Sequence, residues 1–489
     1  MSAFEMRSRL ATRVRPALLT VGMLLAFATP AAAALELHPL FADNAVLRMR
    51  SPILIAGTSD SSDPVTVELA GRKATAAVKD GRWQAELADL GYGGPHILTV
   101  GQGETHVERK NILIGEVWLC GGQSNMWWPL SDSANSKAAI AEAKNDRIRL
   151  FTVAKQKEGV VRPLGKWQMC TPETAAGFSA VAYHFGKALE KARGVPIGLI
   201  SSNWGGTRIE RWISAPAIAA SPSLVAMPKP QGASDLYDTM IAPLMPFRVR
   251  GVLWYQGESN VGDAFAYRDA LPALINDWRR TFDDPELAFC VVQLAPIGKP
   301  SATPEEHKRA EIRESQLRAV QRIFRAAMVV TTDLGFEKEH PPRKAEVGER
   351  LALCARGLAY AEKIPYSGPI YESMQVDGSR VVLRFLSADD GLQALGGGPL
   401  SGFTVAGKDR IFHPAQAAIE GRSVVVSSPE VPHPIAVRYG WAGFPQVNLA
   451  NAAGLLASPF RTDAFRLLTQ DQIEQPEPKS IQAPKSAKR

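Results

Sequence analysis

Ser124 stands where chemistry is possible. It follows the apolar run of "GEVWLC" and two glycines, and it opens the polar triplet's way into two tryptophans, "GGQSNMWWPL". A serine is a poor nucleophile unless a base takes its proton and donors hold the oxyanion that forms. Three other stretches offer those parts. In "SSNWGGTRIERW", Gly205 and Gly206 permit the close backbone approach that suits an N–H aimed at a ligand oxygen. In "LWYQGESN", Gln256 directly follows an apolar run and Asn260 lies four residues on, and either amide is able to donate to an oxyanion. In "TTDLGFEKEHPPRK", His340 precedes two prolines that would start a helix, which makes it the best base in the chain. Each part also has a plainer reading: Ser124 as a helix N-cap, the glycine pair as a tight turn, His340 as a loop histidine. The elbow signature GxSxG is absent, because Met126 occupies the position of its second glycine.

The elements around these residues explain why they would meet. "ILIGEVWLC", "PIGLISSNWGG", "RGVLWYQGESN" and "AMVVTTDLG" read as short buried strands that end in Gly, Asn or Ser. Helical segments such as "SAVAYHFGKALEKAR" and "AYRDALPALINDWRRTF" lie between them. Strands alternating with helices predict a parallel sheet covered on both faces, with the ligand site beyond the carboxyl ends of the strands. Residues 35–110 and 364–468 read differently, as alternating strands and tight turns, including hairpins at Asp80-Gly81 and Asp377-Gly378. They are expected to form an N-terminal and a C-terminal β domain around a central unit over 111–363.

Taken together, "GEVWLCGGQSNM", "GLISSNWGGTRIERW", "LWYQGESN" and "EHPPRKAEVGERLAL" resemble the sialate O-acetylesterase group of SGNH-type carbohydrate esterases. "LFADNAVLRM", "DGRWQAEL" and "RYGWAGFPQVNL" resemble flanking segments of its bacterial members. The resemblance implies an α/β fold with a three-layer α/β/α hydrolase domain, without metal or organic cofactor. It implies Ser124 as nucleophile and His340 as base. For the oxyanion hole it points to the Ser124 N–H, a glycine of the Gly205-Gly206 pair, and the "QGESN" segment, where Gln256 is favoured and Asn260 is the alternative. One position departs from the pattern: relatives commonly carry an acid two residues before the histidine, and here that residue is Lys338. Glu337 is taken as the orienting acid, with Glu339, Asp333 or a backbone carbonyl as alternatives, and the Lys338 side chain is expected to face solvent. Trp128 and Trp204 are expected to touch the sugar and Trp254 to fill core. Arg208 is a candidate for a carboxylated sugar, against simple pairing with Glu210 or Glu258.

Composition sets the outer limits. With 489 residues, 45% hydrophobic and 21% charged, the chain is a folded protein of several domains. Residues 1–34 read as a secretory signal peptide: four arginines, a short apolar run ended by Pro30, then "AAAA". Removing that segment lowers the formal charge from +7 to about +4, too small and scattered for nucleic acid. Four cysteines in apolar contexts form no metal-like cluster and read as buried thiols or bridges. The tail 469–489 is polar, Pro-containing and aperiodic. The expected protein is an exported serine esterase acting on an acetylated carbohydrate, with no membrane insertion of the mature chain. Acetylated xylan or xyloglucan is the alternative substrate, and an inactive carbohydrate-binding protein the alternative function.

Overall fold

The computed structural model of the chain describes residues 35–49, 52–88, 90–155, 164–227, 232–301 and 305–470. The expected signal segment and nearly all of the expected tail lie outside them. The centre is a sheet whose long middle strand, Thr105–Gly122, leads to the serine. Ile197–Asn203 and then Asn145–Thr152 lie on one side of it, and Gly251–Tyr255, Ala288–Val292 and Ala326–Val329 on the other, all parallel. The sheet as a whole is mixed, because Trp167–Cys170 adds an antiparallel edge and strands of residues 46–102 pair along the first half of the middle strand. From Ile112 onward the middle strand is buried without alternation, as a strand covered on both faces must be.

Chain order reverses at this strand, so the crevice beyond its carboxyl end is the switch point of the sheet. Register makes that crevice precise: Gly122 is partnered by Asn203 on one side and Tyr255 on the other, and the three strands leave the sheet at one level. Helix Ala180–Arg193 packs against helix Lys344–Tyr360, and Tyr267–Thr281 against Lys308–Gln321. Ser179 ties the first of these to the serine turn, accepting from Ala182 N (3.1 Å) as N-cap and donating to Met126 O (2.6 Å).

The two flanking regions attach differently. The N-terminal strands share one hydrophobic core with the central sheet. The C-terminal sheets have their own core around Val381, Leu383, Val405, Val437 and Phe460. They are fastened by polar groups: buried Arg313 donates to the carbonyls of Ala442 (2.9 Å) and Gly443 (2.7 Å), and Arg461 pairs with Glu314 (3.1 Å). Both turns legible in the sequence are present: Asp80 and Gly81 are left-handed between bridged Lys79 and Arg82, and Gly378 sits between paired Asp377 and Arg380. All four cysteines are buried and free.

Candidate active site

The serine turn is shaped by what precedes it. A Cβ on Gly122 would lie 2.1 Å from the carbonyl oxygen of Tyr255, and its φ of +141° suits glycine alone. Gln123 N then donates to Tyr255 O (3.1 Å), and a short helix, Ser124–Trp127, begins at the serine itself. The neighbouring strand end comes alongside: Trp204 N donates to Gly122 O (3.0 Å), and a Cβ on Gly205 would stand 3.3 Å from Ser124 Cβ. The Gly205 backbone therefore passes directly beside the half-buried serine side chain.

The third strand end behaves otherwise. Gln256 and Asn260 are fully buried and engaged within the protein. Gln256 Nε2 faces Gln123 Oε1 (3.2 Å), Thr207 O (3.1 Å) and Asn260 Oδ1 (2.9 Å), while its Oε1 accepts from the Tyr267 hydroxyl (2.8 Å). Asn260 Nδ2 donates to Glu210 Oε2 (3.0 Å), and its Oδ1 also accepts from Ile209 N (2.9 Å). These amides knit the three loops together.

His340 lies half-buried with its ring stacked on Trp128, centroids 4.4 Å apart at 26°. Its Nε2 is buried and has no hydrogen-bond partner among the described residues. Burial holds the imidazole below its ordinary pKa; the charge of Lys344 adds to that and Glu339 opposes it. Among the described residues no carboxylate bonds to His340. Glu337, Lys338 and Glu339 are all exposed, Lys338 facing solvent as its sequence context suggested. Asp333 is held in a two-pronged pair by Arg350 (2.7 and 2.6 Å).

The aromatic and cationic residues divide clearly. Trp254 is buried among Trp212 and Trp278, as core. One face of Trp128 is covered by the imidazole, whereas Trp127 is exposed and shares the Lys155 ammonium with Trp204 (4.8 and 5.3 Å). Arg208 is ion-paired with Glu210 and Asp263, each at 2.6 Å, and not with Glu258. Two residues close to the serine and histidine escaped the sequence reading, Asn125 and Lys344. Asn125 was hidden by its place in the triplet, and Lys344 by lying in a helix one turn beyond His340. No group of three or more His, Cys, Asp or Glu among the described residues is placed to hold a metal ion.

The family described as carbohydrate esterase, sialic acid-specific acetylesterase, matches residues 114–355. Sialate O-acetylesterase of Homo sapiens is 32% identical over 336 residues, 60% of this chain and 64% of its own length; that of Mus musculus is 29% identical over 427 residues, 72% and 79%. The chain thus spans somewhat under two thirds of the human relative. A solved structure, a carbohydrate acetylesterase from Xanthomonas citri, superposes with a TM-score of 0.82 at 39% identity, covering 88% of this chain and 100% of that one. This chain belongs to the carbohydrate esterase family of sialic acid-specific acetylesterases, a family of carboxylic ester hydrolases.

Proposed function

We propose that the protein removes O-acetyl groups from carbohydrates by covalent serine catalysis. The observation that carries this reading is the shared level of the strand ends at Asn203, Gly122 and Tyr255, which sets Ser124 beside the Gly205 backbone. His340 takes the Ser124 proton as the hydroxyl attacks the acetyl carbonyl. The N–H groups of Ser124 and Gly205 receive the oxyanion, with Gly206 shaping the turn and Gln256 and Asn260 bracing the loops. The sugar hydroxyl departs with the proton from His340, and water activated by the same imidazole releases acetate. The sugar rests against the exposed Trp127 and the free part of Trp204. The central unit is read as a three-layer α/β/α domain braced by its β-rich flanks, and residues 1–34 as the signal that sends it to the periplasm or the medium.

A neutral plant polysaccharide such as acetylated xylan or xyloglucan is the second reading, favoured by the neutralisation of Arg208 by Glu210 and Asp263. The test is acetate release from O-acetylated sialosides, xylan and xyloglucan by the mature protein and by Ser124→Ala. Release should fall at least about a thousandfold in the variant on whichever substrate is turned over. Release undiminished in Ser124→Ala would sink the serine mechanism, and inhibition by high salt would mark the acidic sugar.

A further inference from the structure

The residue next to the nucleophile is the junction of three distant parts of the chain. An asparagine side chain offers two N–H donors and one carbonyl, and Asn125 engages all of them. Its Nδ2 donates to Glu258 Oε1 (2.6 Å) and to the main-chain carbonyl of Glu339 (3.1 Å). Its Oδ1 accepts from the Nζ of Lys344. Because an ammonium only donates and a carboxylate and carbonyl only accept, these partners allow the amide one orientation. Asn125 and Lys344 are both buried. Glu339 is covalently next to His340 and Asn125 next to Ser124, so a single hydrogen bond couples the two backbones that carry the candidate base and nucleophile.

We propose, resting on the serine esterase reading, that Asn125, gripped by Glu258 and Lys344, is the positioning residue for His340. It aims the imidazole through the Glu339 carbonyl, at a site where, among the described residues, no carboxylate bonds to the ring.

The charges around this junction supply a readout that a merely structural asparagine lacks. Lys344, at the start of its helix, faces Glu258, which lies in the turn after Gly251–Tyr255, and its ammonium lies 5.5 Å from the centre of the Tyr255 ring. Arg309, from helix Lys308–Gln321, acts on Glu258 and Glu339, and the Tyr267 hydroxyl feels Glu258. Burial lowers the Lys344 ammonium to about 7, opposed by Glu258, so it is charged at the acid edge of His340 titration and holds the imidazole down there. Removing that charge takes away one of the two influences that hold His340 down, burial being the other.

The experiment is steady-state acetate release across pH for Asn125→Ala, Asn125→Asp and Lys344→Met, with Ser124→Ala alongside and thermal melts to establish folding. Asn125→Ala should lose about a hundredfold in kcat with KM within about twofold. Asn125→Asp should lose as much, since a carboxylate cannot donate to Glu258 or to the Glu339 carbonyl. Lys344→Met should move the acid limb of kcat/KM upward by about half a pH unit, and it reads the junction even if the Asn125 variants do not fold. A folded Asn125→Ala enzyme with kcat within threefold of the parent, or a folded Lys344→Met enzyme that keeps both its kcat and its acid limb, overturns the positioning role alone, provided Ser124→Ala is inactive. An active Ser124→Ala overturns the esterase reading and this role with it.

Discussion

The two sides of the candidate site are built by opposite means. On the serine side, three buried strand ends in register, a glycine that nothing else can replace and a closed amide network leave the backbone no freedom. On the histidine side, an exposed loop of Glu337, Lys338 and Glu339 carries the candidate base, held by the Asn125 bond to the Glu339 carbonyl, backbone bonds at flanking Phe336 and Pro342, one ring stack and the start of a helix. The difference teaches how a catalytic pair divides its tolerance to change. A nucleophile needs its N–H and hydroxyl fixed against a substrate, and packing does that; a base has only to be aimed, and a few directed contacts suffice.

Substitutions on the two sides should therefore differ by orders of magnitude. Gly122→Ala ought to be the most damaging, since its Cβ would enter the Tyr255 carbonyl. We expect a loss above about 3 kcal/mol of stability and little active protein, read by thermal melting and acetate release. Retention of the parent melting temperature would show that the serine side yields after all. Trp128→Ala lies at the boundary, where it removes the face that aligns His340. A fall of roughly three- to tenfold in kcat is expected, with the fold preserved. Glu337→Gln should change turnover by less than about twofold, because that carboxylate is exposed. A tenfold loss there would make Glu337 an orienting acid and erase the contrast.

The strands, the turns and the polar strand ends were legible because they are local: periodicity, Asp-Gly pairs and polar residues after apolar runs all lie within a few positions. The surroundings of Gln256 and Asn125 were not. Gln256 occupies the position a donor to substrate would hold, and only folding reveals that its amide faces Gln123, Thr207 and Asn260. Asn125 finds its partners 133, 214 and 219 residues away, and no spacing rule reaches so far. The change of texture near Asn111 falls inside one strand. Asn111 has a φ of +58° inside the continuous strand Thr105–Gly122, beside a register shift in its pairing with Gly93–Gln102. A local irregularity and a boundary look alike in one dimension.

That strand has a consequence for how the protein can be taken apart. Its 18 residues extend about 60 Å, and the same backbone that is stitched to the N-terminal strands ends one residue short of Ser124. The strands of residues 46–102 thereby splint the turn that carries Ser124, and they are no cassette to be exchanged. A fragment begun at Asn111 would open with a shortened strand whose partners Val46–Arg48 and Gly93–Gln102 are gone, leaving both edges of its first residues, up to Gly115, bare and ready to pair with other chains.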